Sequence, residues 1–236
     1  MMLKYKRILL KLSGEALMGQ YEFGYDPKVL TQVAEEIIAV QKSGIEIALV
    51  IGGGNVFRGK GLEEAGFDRV RGDQMGMLAT VMNALAMQDV IQKRGVACDV
   101  LSALAIEQVG EKYSALNARE KLKQGRIVIC AAGSGNPYFT TDTAASLRAI
   151  ELQADLLLKA TKVDGIYNAD PMKNPDAIRY DQLHYDDAID QRLGVMDLTA
   201  MVMCHDNNMP LCVFNMFDEG ALTAVLTGKK IGTMVS

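Results

Sequence analysis

An α/β fold built on a parallel sheet with helical crossovers is expected from two features of this sequence. Short β-branched apolar runs alternate with longer amphipathic stretches, as when strands buried on both faces are joined by covering helices. Glycine-rich or lysine-bearing segments directly follow several of those runs, at the strand ends where open parallel sheets bind ligands. At 236 residues the chain is long enough for one large core. It has no long linker, low-complexity run or internal repeat, so residues 1–236 are expected to form one domain.

The first apolar run, residues 8–12, reads as a strand. Residues 27–42 read as a helix, with Asp26 at the cap, Pro27 in the first turn, and Leu30, Val33, Ile37 and Val40 at helical spacing. A strand at 45–51 precedes a long helix at 74–94 that carries Met75, Met77, Met82 and Met87 of the 14 methionines. Methionine fills irregular apolar gaps, so these are assigned to core packing or a helix-to-helix contact. Strands at 98–102, 127–131 and 155–158 alternate with helices at 114–124 and 141–152. The least regular stretch, 161–185, holds Asp164-Gly165, Ala169-Asp170-Pro171 and Asn174-Pro175-Asp176, all turn chemistry. Loops of that length usually cover or form a site. A helix at 197–207, a strand at 211–215, a helix at 221–227 and a short strand at 233–235 complete the pattern.

Composition narrows the function. Hydrophobic residues make up 49% and charged residues 23%, the balance of an ordinary globular chain rather than a disordered or membrane one. A formal net charge of −4 supplies no global positive field for a nucleic-acid backbone, so a phosphate site must be built locally. No apolar run approaches the roughly 18 residues of a membrane span, and the first residues lack a signal peptide's apolar core. Cys98, Cys130, Cys204 and Cys212 have neither CxxC spacing nor a histidine partner, which suits buried free thiols in a reducing cytoplasm. His184 and His205 are too few for a histidine-rich metal site. A cytoplasmic protein without nucleic-acid or membrane partners is expected.

Four strand ends carry the chemistry. The first runs into Lys11-Leu12-Ser13-Gly14, a cation at the strand tip and a glycine where backbone must approach something closely. The second runs into Gly52-Gly53-Gly54-Asn55, with Arg58 following. Successive glycines expose backbone N–H groups and permit positive φ, as an anion nest requires, and arginine's fork grips phosphate oxygens. The strand at 127–131 runs into Ala132-Gly133-Ser134-Gly135-Asn136-Pro137-Tyr138-Phe139-Thr140-Thr141-Asp142, where small residues, a proline bend and two hydroxyls precede a helix. Asp142 reads either as a site residue or as a first-turn acid favoured by the helix dipole. After 155–158, Lys159, Thr161, Lys162, Asp164, Tyr167 and Asp170 cluster in a segment suited to a nucleotide with Mg²⁺. GxxxxGK followed by Ser or Thr is absent, and so is GxGxxG. The cations and backbone donors, with no evident nucleophile or base, fit transfer of a phosphoryl group between phosphates.

Residues 5–17, 50–58, 72–87, 133–142, 159–171, 195–197 and 213–215 together closely resemble the bacterial uridylate kinases of the amino acid kinase family. The resemblance covers almost the whole chain and implies a three-layer αβα sandwich with a central, mainly parallel sheet. It implies phosphorylation of UMP to UDP by MgATP in pyrimidine nucleotide biosynthesis, in a homohexamer inhibited by UTP and activated by GTP, with regulation read near residues 20–26. On matching positions, Lys11, Leu12, Ser13 and Gly14 would contact the ATP phosphates. Gly54 and Arg58 would follow the phosphates across the transfer zone, and Gly53 would lie at the UMP phosphate. Asp73, just before the long helix, would hold the UMP ribose, while Ser134, Gly135, Asn136, Pro137, Tyr138, Phe139, Thr140 and Thr141 would wrap the uridine end. Thr161, Tyr167 and Asp170 would line the ATP base and ribose. Lys159 would neutralise the migrating phosphoryl group, and Asp142 and Asp197 would organise the site electrostatically or through Mg²⁺, with no residue assigned as a dedicated metal ligand. Ser134 stands where many relatives carry threonine, and Tyr138 where phenylalanine is common, which touches base selectivity. Two other readings remain open: a carboxylate or carbamate kinase of the same fold, and a non-catalytic nucleotide or oxyanion binder.

Overall fold

Residues 4–57, 66–169, 171, 173–174 and 176–236 are described by the structure, a computed structural model of the chain. Among them nine strands form one sheet: β1 (Arg7–Leu12), β2 (Glu46–Ile51), β3 (Cys98–Ser102), β4 (Glu111–Lys112), β5 (Ile127–Ala131), β6 (Leu156–Thr161), β7 (Gln182–Leu183), β8 (Leu211–Asn215) and β9 (Thr233–Val235). Their spatial order is β4-β3-β5-β2-β1-β6-β8-β9-β7. Every pairing is parallel except that of β8 with β9.

The layers follow from the two-residue period of the strands. Ile8, Leu10 and Leu12 point to one face, where they meet α1 (Pro27–Lys42), α2 (Arg69–Gln92) and α7 (Ala221–Leu226). Leu9 points to the other, where α3 (Ala115–Lys123), α4 (Thr141–Leu152), α5 (Tyr185–Asp190) and α6 (Leu198–Asp206) close a second apolar layer. The result is the αβα sandwich with a mainly parallel sheet.

Most elements lie where sequence places them, and the exceptions have local causes. β4 and β7 are two residues long, too short to show a period. β6 runs on to Thr161 because Lys159 pairs in register with Lys11 instead of ending the strand. α2 begins five residues earlier than the apolar pattern, because the Asp68 carboxylate caps it by accepting from Arg71 N at 3.1 Å. Asp73, expected just before this helix, therefore lies inside it. All four cysteines are buried and free. Among the described residues no helix is long and apolar enough to cross a membrane.

Candidate active site

β1 hands the chain to β2 on one side and β6 hands it to β8 on the other. These two neighbouring strands therefore flank the switch point of the sheet, where a crevice opens beyond their carboxyl ends. Lys11 and Lys159 are register partners at that crevice. Asp142, in the first turn of α4, stands between them: Lys11 Nζ lies 2.7 Å from Oδ1 and Lys159 Nζ lies 2.8 Å from Oδ2. Lys159 also donates to the Val195 carbonyl. Burial alone would raise the Asp142 pKa, but the two lysine charges, Lys11 ahead of Lys159, outweigh it and hold the carboxyl below its usual value. Burial lowers Lys159 below an ordinary lysine, Lys11 adds to the effect, and Asp142 opposes it. Lys11 and Lys159 together place two cations against the Asp142 carboxylate at these strand ends.

The turn after β2 packs against the turn after β1. Gly52 N donates to Leu12 O at 2.9 Å, and Asn83 Nδ2 on α2 donates to Gly52 O and to Asn55 Oδ1. Asn55 and Asn83 are both buried, so this amide pair anchors the turn from below. Gly14 sits so close that a Cβ there would collide with Gly52 O and stand 2.9 Å from Gly54 N. A Cβ on Gly53 would stand 2.9 Å from Ala79 Cβ and 3.0 Å from Gly76 O. Gly52, Gly53 and Gly54 are not among the positive-φ glycines, so the run does not make the left-handed turn it suggests, and Gly53 serves close approach instead. Leu12, assigned to the nucleotide, buries its side chain in the core and offers its carbonyl to Gly52, because its position in the strand turns the side chain inward. Arg58 and Asp170 lie outside the described residues.

Beyond β5 the backbone turns sharply through Ala132 (φ 62°) and Gly133 (φ 59°). Ser134 Oγ closes a small turn with the backbone of Asn136, and Tyr138 N donates to Asp73 Oδ2 at 2.7 Å. Asp73 thus ties the loop to α2 and also pairs with Arg69 at 3.0 Å. Thr140 caps α4 by accepting from Asp142 N and Thr143 N, and it donates to Asp197 Oδ2. Thr143 donates to the same oxygen at 2.9 Å, while Asp197 Oδ1 caps α6 by accepting from Ala200 N at 3.0 Å. Asp197 is therefore a helix cap and a brace for α4.

Two cavities lie beside these strand ends, and Lys159 lines the second. One, of about 260 Å³, is lined by Gly53, Gly54, Asp73, Ser134, Asn136, Phe139, Thr140 and Thr141, all anticipated from sequence, and by Phe57, Gly72, Gly76 and Thr80, which were not. Gly135, Pro137 and Tyr138 belong to the same loop but do not line it. The other, of about 580 Å³, is lined by Lys159, Thr161, Tyr167 and Asn168 and also by Gln191, Leu193 and Gly194. Thr161 Oγ1 closes its own turn with Val163, and Tyr167 OH donates to Asp164 Oδ1 at 2.7 Å. Residues 191–194 escaped sequence reasoning because they carry no motif and reach the cavity only through tertiary packing. Among the described residues no cluster of His, Cys, Asp or Glu could hold a metal ion by itself.

Fold and site together define an α/β protein with paired lysines at the sheet's switch point, one of them lining a cavity. The amino acid kinase family model matches residues 6–215, and the chain belongs to that family. It is 57% identical over 233 residues to a uridylate kinase of Xanthomonas campestris pv. campestris, covering 99% of this chain and 97% of that relative. A uridylate kinase of Ectopseudomonas mendocina is 56% identical over 232 residues, covering 98% and 94%. Among solved structures, UMP kinase from Bacillus anthracis superposes with a TM-score of 0.96 at 39% identity, covering 98% of this chain and 96% of that one. UMP kinase from Ureaplasma parvum gives 0.93 at 36% identity, covering 99% and 100%.

Proposed function

We propose that this chain transfers the terminal phosphoryl group of ATP to UMP, forming UDP and ADP. The observation that carries this reading is the Lys11–Asp142–Lys159 constellation at the strand ends: Lys159 lines the cavity bounded by β6 and residues 191–194, and Thr141, next to Asp142 in α4, lines the one bounded by the glycine turn and the Ser134 loop. UMP would occupy the first, with its phosphate toward Gly53 and its ribose toward Asp73, and ATP the second, along Thr161 and Tyr167. Asp170 and Arg58 complete the proposed ATP and transfer-zone contacts.

An oxygen of the UMP phosphate attacks the γ-phosphorus of ATP in line, and the bond to the ADP oxygen breaks. That oxygen is already anionic near neutral pH, so positioning and charge neutralisation do the work without a general base. Lys11 and Lys159 meet the charge spread over the transferring group, while Asp142 holds them apart and in place. Both Asp142 oxygens face lysines, and Asp197 is taken up by a helix end and two threonines, which fits a Mg²⁺ held by the nucleotide's phosphates and water. That ion would offset phosphate charge.

The same reading makes the chain a single-domain, cytoplasmic enzyme of pyrimidine nucleotide synthesis, supported by its continuous sheet and four buried free thiols. Assembly into a homohexamer is supported by the exposed Met75, Leu78 and Met82 on α2. For control by UTP and GTP, the supporting contact joins residues 20–26 to the glycine turn: Asn55 Nδ2 donates to Gly24 O and Gly24 N to Asn55 O. A coupled ADP-release assay with UMP, CMP, glutamate and aspartate tests the activity. ADP release with UMP is expected; release only with an amino acid, or none, overturns the reading.

A further inference from the structure

Arg148 on α4 is a guanidinium almost entirely removed from water, only 5% exposed, and it does not line the acceptor cavity. Its Nη2 donates to the Gly133 carbonyl at 3.1 Å and its Nη1 to Glu151 Oε2 at 2.7 Å. The guanidinium lies 3.8 Å from the centre of the Tyr113 ring, and Tyr113 OH donates to the same Glu151 oxygen at 2.7 Å. Nε is buried without a hydrogen-bond partner. Sinking a charge this deep with one donor unmet is costly, so its remaining contacts must hold it firmly.

Gly133 is one half of the corner at which the chain leaves β5. Ala132 and Gly133 are both left-handed, and for Ala132, which has a Cβ, that conformation persists only where the surroundings impose it. The surroundings are visible on both sides of the sheet. From the α2 side, Thr80 Oγ1 accepts from Ala132 N at 2.9 Å; from the α4 side, Arg148 takes the Gly133 carbonyl. Gly133 and Ser134 then line the acceptor cavity, and Tyr138 N reaches Asp73.

We propose that Arg148 is a positioning residue for the acceptor nucleotide, fixing the Ala132–Gly133 corner so that the Ser134 to Phe139 loop presents one shape to the base. Tyr113 and Glu151 hold the guanidinium in the orientation this needs. Lysine could keep the charge but not the planar fork that serves Gly133 and Glu151 while stacking on a ring. The inference rests on the acceptor reading of the first cavity.

Two measurements on Arg148→Lys, with Arg148→Gln as a second variant and Tyr113→Phe as control, test it. Amide hydrogen exchange needs no nucleotide: Gly135, whose N–H bonds Ala132 O, and Tyr138 should exchange about tenfold faster in the Arg148 variants, as expected for losing one charge-assisted hydrogen bond, with β1 and β6 unchanged. In steady state, KM for UMP should rise about tenfold while KM for ATP stays within about twofold, the same loss read as affinity. Tyr113→Phe, which keeps the ring and loses only its bond to Glu151, should shift each readout less than the Arg148 variants do. Undisturbed exchange at Gly135 and Tyr138 overturns the proposal. So does loss of protection throughout the sheet, or an equal rise in both KM values, since either marks Arg148 as a general stabiliser of α4. Absence of UMP turnover in the unsubstituted protein would instead sink the functional reading, leaving the exchange result to judge the corner.

Discussion

Lys11, Lys159 and Asp142 divide charge in a way that each can be tested for separately. Lys11→Ala and Arg58→Ala should each lower kcat/KM by about 100-fold or more, the scale of losing a preorganised charge at a transfer site, whereas Cys204→Ala, on the buried face of α6, should leave turnover nearly intact. Near-normal kinetics in both cation variants would contradict the assignment. Asp142→Asn probes the balance through pH. Burial already lowers the Lys159 pKa and Asp142 is what pulls it back up, so the amide should let Lys159 lose its proton at lower pH. The alkaline limb of the kcat/KM profile should move toward neutrality, and a limb that stays in place would show that Asp142 does not keep Lys159 charged. Asp197 presents a different question, because its oxygens already serve Ala200 N and two threonines. Asp197→Ala should cost about 1 kcal/mol from the lost cap, seen in the denaturation midpoint. Asp197→Asn keeps an acceptor; if its kcat stays near normal, bracing rather than charge is the role of this residue.

The glycine turns show where local sequence is informative and where it misleads. Gly14 after the first strand announced a close backbone approach, and neither it nor Gly53 has room for a Cβ. The Gly52-Gly53-Gly54 run suggested left-handed backbone, which in the site appears instead at Ala132, Gly133 and Tyr138, two of them residues whose side chains give no hint of it. Gly14→Ala should destabilise by about 1–3 kcal/mol, the usual range for overpacking, and lower affinity for ATP as the two turns separate. An unchanged melting temperature would show that the turns can part freely. Helix boundaries follow the same logic: α4 matched its pattern because Thr140 caps it, whereas α2 ran further back because the Asp68 cap lies upstream of the first methionine.

Across the molecule, α2 contributes to the core with Met77, Val81, Ala84, Met87 and Ile91 and leaves Met75 (41%), Leu78 (48%) and Met82 (52%) in the open. A helix apolar on both sides is shaped for a second surface. Sedimentation should therefore find a species several times the 25.7 kDa chain, and Leu78→Glu with Met82→Glu should reduce its size without unfolding it. A monomeric unsubstituted protein would rule the hexamer out. The alternation of short apolar runs with amphipathic stretches made the parallel sheet and its helical crossovers legible, because each run is written locally in the chain, while the three-layer sandwich came through family resemblance. Strand-end composition likewise announced Lys11, the glycine turn and the Ser134 loop, while the assignment to a uridine acceptor came through family resemblance. What no local pattern could show is which strand ends become neighbours. Lys11 and Lys159, 148 positions apart, meet only because the sheet reverses its order between β1 and β6. Arg148 meets Gly133 only because α4 folds back over the loop that precedes it. Such contacts depend on burial and packing between distant segments, and a carboxylate or guanidinium has the same identity in the sequence whether it ends in water or between two lysines.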